Sequence, residues 1–297
     1  MNATTRNIFT ALVLALFVAG CATTPQQRPL SDEEKQQEIQ RLLISAAGEA
    51  EAGNHSVALL RYEEALDLDD SSYSALLGAA NVAYAMQRYD GALDYYERAL
   101  QQEPDSIDAL EGKALSLLKL QQYASARPLL ETVASSDSER WRSLNALGVL
   151  ADLDSRYALA QTYYRKALAL NDDNVRILNN LGYSLIMSRE YAEAEAVLQR
   201  AVALQADFFR ARNNYAIAMA WQKRYEEAVE VLAVDSPYEV AYNNVGYIAY
   251  LNNDLDSARF YLKKAITASP TYYPEAARNL EKVEKAMDAI KREGSLR

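Results

Sequence analysis

Residues 157–170 read Tyr-Ala-Leu-Ala-Gln-Thr-Tyr-Tyr-Arg-Lys-Ala-Leu-Ala-Leu, and residues 191–204 read Tyr-Ala-Glu-Ala-Glu-Ala-Val-Leu-Gln-Arg-Ala-Val-Ala-Leu. The two stretches start 34 residues apart. Both carry Ala at the fourth place, a large apolar residue at the eighth and Ala at the eleventh. Working outward, the first of these alanines recurs at Ala58, Ala92, Ala126, Ala160, Ala194 and Ala228, always at a step of 34. A tyrosine stands three residues earlier at Tyr89, Tyr123, Tyr157, Tyr191 and Tyr225, and a large residue four later at Tyr62, Tyr96, Leu130, Tyr164, Leu198 and Leu232. Twelve residues before each alanine lies another small residue: Ala46, Ala80, Ala114, Gly148, Gly182 or Ala216. Spacings of three, four and seven put these residues on one helical face. Small residues let helices approach closely, and large ones fill the space beside them.

A seventh unit is centred on Gly246, Ala258, Leu262 and Ala265 and closes at Pro270. Its alanine follows Ala228 by 30 residues, so unit six has lost four. Asp235-Ser236-Pro237 cuts the second helix of that unit short. Ser236 is expected to cap the next helix, with Pro237 in its first turn. Pro128 is expected near the first turn of a helix, where no amide bond is lost. Ser31-Asp32-Glu33-Glu34 has the spacing of a capping box. After unit seven, Pro274 opens a last helix with Ala276, Leu280, Val283, Met287 and Ile290 along one side.

This pattern resembles the tetratricopeptide repeat, which has that length and those small and large positions. The resemblance implies an all-α, right-handed superhelical solenoid of about seven helix-turn-helix units. The units start near residues 39, 73, 107, 141, 175, 209 and 239 within residues 31–272, and a C-terminal capping helix and tail occupy 273–297. Composition agrees. Gly (10) and Pro (7) are scarce among 297 residues, which disfavours turn-rich all-β folds. The net charge of −10 argues against nucleic acid as a partner. One Cys and one His exclude an internal disulfide and a multi-His metal site.

The N-terminus carries its own signal. Arg6 precedes an apolar run from Ile8 to Ala19, too short for the roughly 20 residues that span a bilayer. This reads as a signal peptide over residues 1–20. The run ends Val18-Ala19-Gly20-Cys21, which resembles the bacterial lipobox, and the chain has no other Cys. The resemblance implies lipidation of Cys21, a tether over 21–30 and, with Ala22 rather than Asp next to the Cys, an outer-membrane lipoprotein facing the periplasm of a Gram-negative cell. The chain from Cys21 onward has 30 basic and 41 acidic residues, a net of −11.

In the resembling family the first helix of each unit lines a concave groove, through its second, fifth, sixth, ninth, twelfth and thirteenth positions. The second position carries Arg142, Arg176 and Arg210, the fifth Asn145, Asn179, Asn213 and Asn243, and the sixth Asn180, Asn214 and Asn244. Tyr183, Trp221, Tyr247 and Tyr250 follow deeper in the groove. Units two and three have Ser74, Leu77, Asp108 and Glu111 instead. Stacked amides grip an extended backbone with little side-chain preference, stacked arginines hold carboxylates, and aromatics anchor. The expected partner is therefore a protein or extended peptide segment bound along units four to seven. The alternative is that the asparagine pairs only cap or bridge neighbouring units.

Catalytic signals are weak. His55 stands where later units carry Tyr, so an inter-helix structural role is expected. Asn171-Asp172-Asp173-Asn174 lacks the glycine and distal Glu of a calcium loop and reads as a turn between units. No phosphate loop or nucleophile elbow appears, so no cofactor, no metal and no enzymatic activity are expected. Arg212-Asn213-Asn214-Tyr215-Ala216 with Arg224-Tyr225-Glu226-Glu227-Ala228, and the shortened unit before Asn243-Asn244-Val245-Gly246-Tyr247, are similar to TadD-type lipoproteins of tight-adherence (Flp) pilus assembly over roughly 175–280. That similarity implies an adaptor for a pilus secretin or another secretion component. Two related roles stay open: a scaffold for peptidoglycan hydrolases, as in NlpI-like lipoproteins, and a pilotin of a type IV pilus system.

Overall fold

The computed structural model describes residues 31–294. Cys21, the signal and the tether lie outside the described residues, as do residues 295–297. Among the described residues there are fifteen helices and no strand. They pair as α1 (Asp32–Glu51) with α2 (His55–Leu68), α3 (Tyr73–Ala85) with α4 (Tyr89–Gln102), α5 (Ile107–Lys119) with α6 (Tyr123–Ser136), and α7 (Trp141–Leu153) with α8 (Tyr157–Leu170). The later pairs are α9 (Val175–Met187) with α10 (Tyr191–Leu204), α11 (Phe209–Trp221) with α12 (Tyr225–Leu232), and α13 (Tyr238–Leu251) with α14 (Leu255–Ala268). A final helix, α15 (Pro274–Gly294), closes the stack.

Local chemistry sets these boundaries. Ser31 accepts from the Glu34 amide while the Glu34 carboxylate takes the Ser31 amide, a complete capping box. Each first helix ends on a residue with positive φ: Gly53, then Gln87, Gln121, Ser155, Arg189, Lys223 and Asn253. One residue in the left-handed region turns the chain back onto the first helix. In all but the first unit that residue carries a side chain, so the turn is held against an intrinsic cost by the packing around it.

The packing explains the small positions. Ala58, Ala92, Ala126, Ala160, Ala194, Ala228 and Ala258 have no accessible surface. The large residues four places on are buried too, from Tyr62 through Leu262. A Cβ at Gly148 would overlap Tyr164, one at Gly182 would overlap Leu198, and one at Gly246 would press on Leu262. Gly78 and Gly112 likewise sit under Tyr62 and Tyr96. The core is accordingly a chain of apolar clusters running through successive pairs, as expected where each unit buries its face only on its neighbours.

Curvature follows from which helices touch. Every odd-numbered helix from α1 to α13 contacts the next odd-numbered one, whereas among the described residues no two successive even-numbered helices do. The odd helices therefore crowd on the inner, concave side and the even helices splay outside.

Three local expectations are corrected. Pro128 lies inside α6, in its second turn rather than its first, so the bond to the Ala124 carbonyl is lost. Both residues are exposed, which leaves that carbonyl open to water. Ser236 does not cap α13: Pro237 itself occupies the N-cap, with extended ψ and no side-chain cap bond, and the helix begins at Tyr238. Ile290 is 57% exposed, unlike Ala276 and Val283. The 21 residues of α15 outrun the 14-residue helices α13 and α14 on which it packs.

Candidate functional site

The inner face differs between its two halves. In unit three, Asp108 and Glu111 are consumed internally. Arg140, in the turn before α7, pairs with Asp108 (2.6 Å), Asp137 (2.7 Å) and more loosely Glu111 (3.5 Å). Glu111 is buried and accepts from both the amide and the hydroxyl of Ser143. The acidic end of the face is thus neutralised by the chain's own groups. Hydrogen bonds to Asp137 and Asp108 hold the Arg140 guanidinium above its ordinary range.

The second position of units four to six is the opposite case. Arg142, Arg176 and Arg210 are exposed, and none has an acidic partner among the described residues, whereas Arg140, Arg165, Arg200 and Arg224 all do. Arg142 lies over the Trp141 ring and Arg210 over Phe209. Burial pushes the Tyr84 phenol up, Tyr89 adds to the push, and Arg142 and Arg176 pull against it. Tyr84 belongs to α3 of unit two.

The asparagines form a ladder. Asn180 donates to Asn145 (3.1 Å) and Asn214 to Asn179 (2.9 Å). Asn179 donates weakly to Asn180, as Asn243 does to Asn244. The fifth-position amides Asn179 and Asn243 are buried, at 9% and 2% exposure, so they act between units. The sixth-position amides Asn180, Asn214 and Asn244 keep some exposure. The bridging role is therefore real for the buried members, and solvent reaches the others.

Two cavities open along this face. One of about 360 Å³ is lined by Asn179, Asn180, Tyr183, Arg210, Asn213, Asn214 and Ile217. The other, about 380 Å³, is lined by Asn243, Asn244, Tyr247, Glu275, Arg278, Asn279 and Lys282. Tyr183 and Tyr247 are partly exposed at 45% and 37%. Tyr250 stands beside Tyr247, ring centroids 6.3 Å apart. Trp221 lines neither cavity. It stacks on Tyr191 at 5.3 Å with an interplanar angle of 1°, so it packs between units five and six. Arg142, Asn145 and Arg176 line neither cavity.

Sequence reasoning missed the α15 wall. Asn279 is buried and donates to Asn243 (3.1 Å), taking the place of a sixth-position asparagine from an eighth unit. Lys282 lies over the Tyr247 ring at 5.5 Å. The available signal was register: Asn279 follows Asn243 by 36 residues, close to the 35 that separates the other bonded pairs.

Tetratricopeptide-repeat profiles match residues 83–147 and 185–240, residues 48–107 and 154–207, and residues 240–272. The chain belongs to the tetratricopeptide-repeat family. Solved structures repeat the architecture. A tetratricopeptide repeat protein from Parabacteroides merdae aligns with a TM-score of 0.55 at 18% identity, over 84% of this chain and 99% of its own. Pseudomonas aeruginosa PilF aligns at 0.54 and 19%, over 84% and 99%. The C-terminal part of a repeat protein from Cytophaga hutchinsonii aligns at 0.58 and 18%, over 80% and 99%. At these identities the likeness is one of fold. No curated protein matches the sequence. Tetratricopeptide-repeat proteins bind peptides or protein segments in the groove, and this chain is a protein-interaction scaffold.

Other polar groups serve the tetratricopeptide-repeat scaffold. Asp152 accepts from Tyr164 (2.8 Å) and Ser184 (2.7 Å), joining units four and five. Burial holds its carboxyl above the usual range although both hydroxyls favour the charged form. Asn174 caps α9 through the Arg176 and Ile177 amides, while Asp172 and Asp173 pair with Arg200. His55 opens α2 with a buried Nδ1 that has no hydrogen-bond partner among the described residues.

Proposed function

We propose that this tetratricopeptide-repeat protein is an envelope adaptor without catalytic activity. Lipidated Cys21 tethers it to the periplasmic side of the outer membrane, and the inner face of units four to seven holds an extended, acidic segment of a partner. The observation that carries the binding role is the unpaired row Arg142, Arg176 and Arg210 beside a partly open asparagine ladder, on a chain whose net charge is −10. Unpaired cations on an acidic chain are available for a ligand's carboxylates, and a guanidinium binds them in bidentate fashion. The tether rests on Val18-Ala19-Gly20-Cys21. Among the described residues no helix is long and apolar enough to cross a membrane. A lipid on Cys21 supplies membrane affinity of about 0.8 kcal/mol per buried CH₂, and two or more chains make it stable.

The partner proposed is a component of a tight-adherence pilus machine, a secretin or another secretion protein, on the similarity across residues 175–280. Two measurements test this. A palmitate analogue fed to cells should label the wild-type protein and leave Cys21→Ala unlabelled; equal labelling rejects the tether. Deleting the gene should remove surface pili and lower secretin multimers. Normal piliation, with peptidoglycan hydrolases recovered on the anchored protein, would assign it to cell-wall scaffolding instead.

A further inference from the structure

The asparagine ladder has a gap. Across the seam between units four and five, Asn180 donates to Asn145; across the next, Asn214 donates to Asn179; and across the last, Asn279 donates to Asn243. Between units six and seven the corresponding pair is Asn244 and Asn213. Among the described residues the Asn213 side chain makes no hydrogen bond, and the Nδ2 of Asn244 donates to nothing. The reason lies in the chain length. The bonded pairs in the full-length units are 35 residues apart, but Asn213 and Asn244 are 31 apart, because α12 has 8 residues where the other second helices have 14. Buried Arg212, next to Asn213, is paired with Asp235 from the segment that replaces the missing helix.

Each freed amide faces one of the two cavities, and each cavity adds an aromatic and a cation. Asn213 stands with Tyr183 and Arg210, and Asn244 with Tyr247 and Arg278. We propose that Asn213 and Asn244 are the amides that bind the main chain of the partner, while the bonded asparagines only hold the units together; this rests on the groove reading above. A primary amide offers a donor and an acceptor side by side, which matches the N–H and C=O of an extended strand. The cavities that hold the two amides are lined from α9 and α11 and from α13 and α15, two inner helices apart; at about 8–10 Å per helix and about 3.3 Å per extended residue, the two contacts fall about six residues apart. The flanking cations select carboxylates at a similar interval.

The test uses the ¹⁵N-labelled full-length chain and two capped decapeptides: Ac-Ala-Ala-Glu-Ala-Ala-Ala-Ala-Ala-Glu-Ala-NH₂ and its counterpart with both Glu changed to Lys. Without peptide, the side-chain amides of Asn213 and Asn244 should exchange with water faster than those of Asn179 and Asn243. The Glu peptide should shift and protect the amides of Asn213 and Asn244. Asn213→Ala and Asn244→Ala should each weaken its binding about five- to tenfold, the weight of one hydrogen bond, with an unchanged melting temperature. If the Glu peptide moves Tyr183 and Tyr247 but neither amide, and both variants bind as well as wild type, the assignment of these two asparagines is wrong while the groove stands. If no inner-face signal moves, the groove reading falls and takes this inference with it. Equal binding of the Lys peptide would overturn the acidic character of the partner.

Discussion

Asp235→Ala should lower the stability of the protein by about 3 kcal/mol, read as a fall in the urea midpoint at constant slope. Arg212 is 8% exposed and sits in the register where earlier units carry Leu76, Leu144 and Leu178, all buried. A guanidinium there is tolerated because Asp235 reaches it from the segment that replaces the end of α12. Removing the carboxylate leaves a buried charge without a partner, which typically costs about 3–5 kcal/mol. Asp235 is itself 35% exposed at its side chain, so water offsets part of that loss and the lower end applies. The replacement Arg212→Leu in the Asp235→Ala background should restore most of the stability, since a well-packed apolar residue often equals or betters a buried pair. A double variant as unstable as Asp235→Ala alone would show that the pair is not what closes the shortened unit.

Leu198→Ala should destabilise by about 2–5 kcal/mol, and it should reverse the sign of a second substitution. Leu198 has no accessible surface and fills the space over Gly182, where an added Cβ would overlap its branch. In the wild-type chain, Gly182→Ala gains about 1 kcal/mol of helix propensity but forces Leu198 out of place, at a cost of about 1–3 kcal/mol. The net effect is a loss. Once Leu198 is truncated the overlap is gone, and Gly182→Ala should stabilise by up to about 1 kcal/mol while filling part of the cavity. A four-variant cycle by chemical denaturation reads the coupling directly. Additive effects would mean that Gly182 is not held small by Leu198.

Both substitutions act in the repeat, yet they differ in how far the sequence announced them. The Gly182–Leu198 contact follows from the 34-residue period, because residues in the same phase meet the same neighbours in every unit. The Arg212–Asp235 pair does not. The shortened unit was visible as a step of 30 between Ala228 and Ala258, but Ser236 and Pro237 suggested a cap one residue from where the structure begins α13. Sequence distance counts the missing residues without saying which side chain fills the space they leave. Pro128 is the same case: its place in the second turn depends on where Tyr123 starts α6, and helix starts are less sharply encoded than helix faces.

For the inner face, the columns Arg142–Arg176–Arg210 and Asn145–Asn179–Asn213–Asn243 were legible because the period aligns equivalent positions, and the family resemblance implies that those positions face the groove. Whether an amide on that face is bonded to the next unit was not legible. Asn179 and Asn213 occupy equivalent positions, but the side chain of one accepts a hydrogen bond from the following unit and that of the other makes none among the described residues. Asn279 of α15 stands 36 residues after Asn243, near the spacing of the ladder, but α15 follows a break and reads from sequence as a cap alone.

The sequence by itself determined the helical-repeat architecture, the phase of its units, and which side chains occupy equivalent positions in successive units, because a fixed period converts directly into a repeated packing geometry. Only the tertiary structure decided which side chains are spent on one another: Arg140 on Asp108 and Asp137, Arg212 on Asp235, and Asn145, Asn179 and Asn243 on Asn180, Asn214 and Asn279. Those pairings depend on distances of a few ångströms across seams between units, and a four-residue change in one helix is enough to make or unmake them.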